Sequence, residues 1–290
     1  MNTMKRSRLS GATLALAFSW LATAPAWAGV SYRAVTETSG SGHANKIVVS
    51  GKAEGSKARI EFAEASGSPM FKPGSFMVTE NAGEPLFLCD PGQKICSEMS
   101  AKAMTQTIGA AMESMKGMMT MEVTDPKVEK LIDEPGPSML GIPTRHVRYH
   151  TSYTMTLSVM GHTTTTSNDT LQDLWLAGDL GDLGLNLWLK KEPVRTGNAE
   201  LDKLIDAEMS KVKGFPLKSV TVTTTESQGH KNSSTATTEV QELKTGLAGF
   251  SASEFQVPAG YTTQKPFEGQ GNPFAKMIEE QQRKKDKGNG

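Results

Sequence analysis

Between residues 145 and 159 the chain alternates without a break. Val147, Tyr149, Thr151, Tyr153, Met155, Leu157 and Val159 share one side, whereas His146, Arg148, His150, Ser152, Thr154, Thr156 and Ser158 share the other. Successive side chains of a strand point to opposite faces, so this pattern describes a strand with one buried and one wet face. At about 3.3 Å per residue such a run would span roughly 50 Å. A straight strand of that length is unusual, so a bend, strong coiling or a bulge is expected. A chain containing it must supply antiparallel neighbours and something to cover the apolar side.

Other segments supply such neighbours. Residues 29–97 read as strands: Ile60 and Phe62 alternate with Arg59 and Glu61, and residues 76–79 and 86–89 follow, separated by Gly, Ser, Pro and Asn clusters. Asp90-Pro91-Gly92 is turn chemistry between apolar runs. Pairing Asp90 with Ile95 across that turn sets Cys89 opposite Cys96, about 4.5–5.5 Å apart and within disulfide reach. A polar turn is expected at 163–169, a strand at 171–176 and a Gly/Asp/Leu-rich loop at 177–186. A last hairpin is expected from strands at 217–225 and 233–243, with its turn at 228–232.

Helical periodicity occurs twice. Met104, Ile108, Met112, Met115 and Met119 recur at the spacing of one helix face within residues 99–121. Asn198 is an N-cap residue type before the stripe Leu201, Leu204, Ile205, Met209 and Val212. The expected fold is therefore α+β and mainly β. One antiparallel sheet curls into a half-open barrel around a Met-rich helical plug, with one further short helix.

The N-terminus carries an address rather than fold. Lys5, Arg6 and Arg8 precede a short apolar run, and Ala26-Trp27-Ala28 places small residues where a signal peptidase requires them. Residues 1–28 thus read as a secretory signal peptide, 29–263 as one domain and 264–290 as a flexible charged tail. No Cys follows the apolar run, and no later stretch approaches a membrane span, so a soluble periplasmic protein is expected rather than an integral membrane protein. An oxidising compartment favours the Cys89–Cys96 disulfide, and the spacing is not that of a Cys-x-x-Cys redox pair. The precursor balances 31 basic against 31 acidic residues, which argues against nucleic-acid binding by phosphate neutralisation.

Several short motifs carry a resemblance. They are Gly55-Ser56-Lys57-Ala58-Arg59-Ile60-Glu61, the hairpin from Leu86 to Met99, and Gly141-Ile142-Pro143-Thr144-Arg145-His146. Lys213-Gly214-Phe215-Pro216-Leu217 and Phe255-Gln256-Val257-Pro258-Ala259-Gly260-Tyr261 complete the set. Over about residues 30–262 the chain resembles an uncharacterised family of exported bacterial proteins, whose fold is similar to the LolA-like lipoprotein carriers. The resemblance implies a half-open β-barrel closed by helices and supplies no catalytic residues. The disulfide hairpin, the long polar hairpins and the tail depart from the carriers, so carrier activity is not transferred.

Chemistry-bearing constellations are few. Of 16 methionines, seven fall between residues 99 and 121. Met is unbranched and polarizable, and suits adaptable apolar surfaces. An apolar ligand face is expected from Met104, Ile108, Met112, Met115, Met119, Tyr149, Tyr153 and Leu157, taking a lipid or a lipoprotein acyl chain. The alternative is a Cu(I) site, because thioethers are soft ligands, built from Met112, Met115, Met118, Met119 and Met121. A third reading is a structural or interaction module of the cell envelope. His146 and His150 would lie roughly 13 Å apart along a strand, too far for one metal ion, with Arg148 between them. There is no Gly-x-Ser-x-Gly elbow, phosphate loop or free cysteine. A non-enzymatic binding protein without a cofactor is expected.

Overall fold

The computed structural model describes residues 29–40, 44–68, 71–99, 101–102, 105–106, 109, 118–159, 161–180, 195–211, 213–247 and 249–265. Twelve strands form one sheet: β1 (Gly29–Gly40), β2 (Asn45–Glu54), β3 (Lys57–Ser66), β4 (Phe76–Thr79), β5 (Phe87–Asp90), β6 (Ile95–Glu98), β7 (Met119–Pro135), β8 (Arg145–Val159), β9 (His162–Ala177), β10 (Phe215–Ser227), β11 (His230–Leu247) and β12 (Thr262–Gln264). The helix α1 (Ala199–Ser210) lies between β9 and β10 in sequence. The spatial order is β12-β6-β5-β4-β3-β2-β1-β11-β10-β9-β8-β7. Every pair is antiparallel except β12 on β6, and the end strands β7 and β12 do not meet. The sheet is curled and unclosed, as expected from the sequence.

The inner face is buried at both ends of the sheet, and the short strands bury their outer face as well. On the inner face Val30, Tyr32, Ala34, Ile60, Phe62 and Met77 pack with Leu180, Phe215, Leu217 and Val240. That face continues to Val147, Tyr149, Leu174 and Leu176, where β8 pairs with β9. On the outer face of the short strands, Phe76, Val78, Cys89 and Cys96 form a separate cluster beneath Val257 and Tyr261. All four residues of β4 are buried, because it faces both clusters. The cysteines pair as their spacing requires: Asp90 opposes Ile95, Cys89 opposes Cys96, and the disulfide joins Cα atoms 4.0 Å apart. Asp90 Oδ1 accepts from the Gly92 and Gln93 amides at 2.9 and 3.2 Å and closes the turn.

Three local expectations change. Residues 119–121 do not end a helix; they begin β7, a 17-residue edge strand that pairs with β8 along its length. Helical backbone is described at positions 101–102, 105–106 and 109. Residues 163–169 are strand rather than turn, because the reversal occurs at Gly161, with φ of +83°, and β9 starts at His162. The last hairpin turns on Gln228 and Gly229, with φ of +52° and +78°. Positive φ at both central residues matches the tight two-residue turns that follow strand twist, so β10 and β11 run closer to the tip than expected. The strand β12 was not anticipated.

α1 follows its sequence signals. Asn198 Oδ1 accepts from the Glu200 and Leu201 amides at 3.1 and 3.0 Å, and Leu204 is buried. Asn198 also donates through Nδ2 to the Met121 carbonyl at 2.9 Å, which ties the start of α1 to β7. Val212, the last residue expected in its stripe, lies outside the described residues.

Candidate functional site

The inner face of β7–β9 has two zones. Val147, Tyr149 and Thr151 on β8 are 4–9% exposed, closed over by Leu174, Leu176 and the end of α1. Further along the same side, Tyr153, Met155 and Leu157 are only half-buried. Leu157 stands opposite Met121, Met155 opposite Val123, and Val159 opposite Met119 on β7. The remaining breadth of this face is hydroxyl-rich: Thr166 and Thr170 on β9, Thr221 and Thr223 on β10. The result is an apolar strip along one wall and threonines along the other.

A polar node marks the boundary between the zones. Lys211, the residue that ends α1, is 3% exposed. Its Nζ donates to Thr151 Oγ1 at 2.6 Å and to Glu208 Oε1 at 2.5 Å. Thr151 Oγ1 donates to the same Glu208 oxygen at 2.7 Å. The Tyr149 hydroxyl donates to the Lys211 carbonyl at 3.3 Å, and Lys211 Nζ lies 5.4 Å from the Tyr149 ring centroid. Burial raises the Tyr153 phenol above its ordinary range, and the Glu208 charge adds to the shift. The node therefore sits at the closed end of the apolar strip, beside Tyr153.

The outer face of the same strands carries a different constellation. His146 stacks on Trp175 with ring centroids 4.7 Å apart. Its Nε2 lies 2.7 Å from Asp173 Oδ1 and its Nδ1 lies 3.4 Å from Glu134 Oε1. Arg148 Nε donates to the same Asp173 oxygen at 2.8 Å. Burial opposes the Asp173 charge, but hydrogen bonds from Arg148 and His146 outweigh it and hold the carboxyl below its ordinary range. His150 Nε2 lies 2.7 Å from Asp169 Oδ2. Both histidines lie on the polar face that the alternation gives them, and cross-strand carboxylates orient them. Both nitrogens of His146 thus face carboxylates. Among the described residues, no group of three or more His, Cys, Asp or Glu is placed to hold a metal ion.

The sequence-derived site residues separate as follows. Tyr149 is closed into the packed zone, whereas Tyr153 and Leu157 line the half-buried strip. Met119 and Met121 stand on β7 and Met118 in the turn before it, so these three do not have the helical spacing on which a convergent Met site depended. The reason is that β8 needs a partner of matching length, and the Thr120–Thr124 stretch has strand propensity. Met104, Ile108, Met112 and Met115 lie outside the described residues. Met155, Lys211 and Glu208 were missed as site residues. Met155 was visible in the alternation, but a lysine just past a helix carried no signal.

Among protein families, the model for a domain of unknown function (DUF4412) matches residues 160–261, from β9 to the turn before β12. No curated protein matches. Among solved structures, the chain is similar to a domain from Vibrio parahaemolyticus described as outer membrane lipoprotein-sorting. The identity is 8%, the TM-score 0.30, and the match covers 78% of this chain and 89% of that one. It is similar to PNGF-II at 14% identity and TM-score 0.31, over 86% of this chain and 32% of that one. A DUF1329 family protein from Desulfovibrio piger matches at 11% identity and TM-score 0.24, over 80% of this chain and 91% of that one. Among the described residues, no helix is long and apolar enough to cross a membrane.

Proposed function

We propose that this chain is an exported, non-enzymatic binding protein of the periplasm that holds the acyl chain of a lipid or lipoprotein against the inner face of its sheet. The observation that carries the reading is the half-buried strip of Tyr153, Met155 and Leu157, flanked by Met121 on β7. Along this strip α1 packs on the β7 side, where Val123 is 3% exposed, and Tyr153, Met155 and Leu157 on β8 stay half-covered, which offers a wall for an apolar guest. Burying an alkyl chain yields about 0.8 kcal/mol per methylene. Roughly a dozen methylenes therefore suffice to offset the cost of association. Residues 1–28, read as a signal peptide, support an activity outside the cytoplasm, where a disulfide such as Cys89–Cys96 persists.

The test is titration of the full mature chain with an environment-sensitive apolar fluorophore, followed by displacement with a long-chain alcohol. Wild-type protein should enhance the fluorescence, and Leu157→Asp should lose that enhancement while keeping its circular dichroism spectrum. Unchanged fluorescence on adding wild-type protein contradicts the reading.

A further inference from the structure

The polar node at the end of α1 has more structure than the wall of an apolar strip requires. Lys211 is buried on the apolar side of the sheet, and a buried ammonium survives only where acceptors replace its water. Glu208 supplies the charge, and one of its oxygens accepts from both Lys211 and Thr151. That carboxylate is the less committed partner. Its side chain is 42% exposed, against 2% for Lys211. It also lies in the last turn of α1, which contains no basic residue, where the helix dipole disfavours a negative charge. Lys211 and Thr151 are thus fixed donors aimed at one carboxylate position, and the present occupant can swing into water.

The Tyr153 phenol senses the Glu208 charge, and Tyr153 begins the half-buried strip that runs through Met155 to Leu157. Successive inner-face residues of a strand are about 6.6 Å apart, so the strip measures roughly 20 Å from Thr151 to Leu157. That is the length of an extended chain of medium size. We infer that the apolar strip is part of a polarised site for a single-chain amphiphile with a carboxylate head. The head replaces Glu208 on Lys211 Nζ and Thr151 Oγ1, and the alkyl tail lies along Tyr153, Met155 and Leu157 toward Met121. Glu208 is then an internal stand-in for the ligand head.

This inference rests on the acyl-binding reading but fails separately from it. Isothermal titration of the full mature chain would compare laurate, dodecyl phosphate and dodecanol on wild type, Lys211→Met and Glu208→Gln. The expected results are a preference for laurate over dodecanol of tenfold or more, loss of that preference in Lys211→Met with dodecanol affinity retained, and tighter laurate binding in Glu208→Gln. Glu208 is half-exposed, so its variant remains informative if Lys211→Met does not fold. Equal affinity for laurate and dodecanol, or laurate binding unchanged or weakened in Glu208→Gln, overturns the head-group site while leaving acyl binding intact. Tighter binding of dodecyl phosphate than of laurate overturns the carboxylate assignment. No binding of any of the three overturns the acyl-binding reading itself, and the head-group site with it.

Discussion

Tyr32 lies directly across the β1–β2 ladder from Gly51, and its ring fills the space where a Cβ at Gly51 would stand, 1.9 Å from Tyr32 Cε1. An aromatic side chain covering a cross-strand glycine is a device that pins register in curved sheets. The ring has no room to retreat, because Phe215 meets it edge-on at 5.4 Å and the residue is 9% exposed. Gly51→Ala is therefore expected to destabilise the fold by about 1–3 kcal/mol, the usual cost of overpacking. In urea denaturation the double variant Gly51→Ala/Tyr32→Leu should lose less than the two single losses combined. Strict additivity would show that the ring does not set the constraint.

Asp173 is expected to make stability pH-dependent in acid. Although burial disfavours its charge, the bonds from Arg148 and His146 lower its pKa in the folded state. A depressed carboxyl contributes stability that is complete above its unfolded pKa of about 3.9 and is lost as pH falls through the folded value. Asp173→Asn should cost about 1.5–3 kcal/mol near neutral pH, the scale of a lost charge-assisted hydrogen bond. The gap between variant and wild type should narrow below about pH 4. A gap of constant size down to pH 2.5, measured by thermal denaturation, would show that the carboxylate charge is not what matters.

The Cys89–Cys96 disulfide closes a short loop, with a sequence separation of 7, inside an apolar cluster where both residues are 0% exposed. Chain-entropy arguments give about 2–3 kcal/mol for a loop of this size. Cys89→Ala/Cys96→Ala should lose at least that much in a guanidinium titration, and the loss should be reproduced by reductant on wild type. A variant as stable as wild type would mean that Phe76, Val78 and Tyr261 hold the hairpin without the bond.

The apolar strip predicts a chain-length series. At about 0.8 kcal/mol per methylene, affinity should rise roughly fourfold for each carbon added until the tail passes Leu157. Competition titration with alcohols of increasing length checks this. A flat series would place the ligand elsewhere.

What the residues disclosed depended on whether a local period survived. The alternation at 145–159 located β8 and its buried side, and the turn chemistry at Asp90-Pro91-Gly92 fixed the cysteine register. Strand β7 stayed hidden because two irregularities, at 124–127 and 130–132, break its alternation, and its exposed edge is largely charged. The helical Met spacing before it also runs on into Met119, so the period alone concealed the change of element. Residues 163–169 resemble a loop in composition, yet threonine-rich strands pair well when their side chains need no burial. The His146–Asp173 contact joins residues 27 apart and the Lys211–Thr151 contact residues 60 apart. Neither has a local signal; both exist only once the strands and α1 are in register.

Acyl binding is tested most directly by native mass spectrometry of the protein isolated from its own compartment without detergent. It predicts a stoichiometric, non-covalent adduct with the mass of an acyl-chain lipid, released by organic solvent and diminished in Leu157→Asp. Protein found only at its bare mass, and still bare after incubation with laurate and dodecanol, would contradict it.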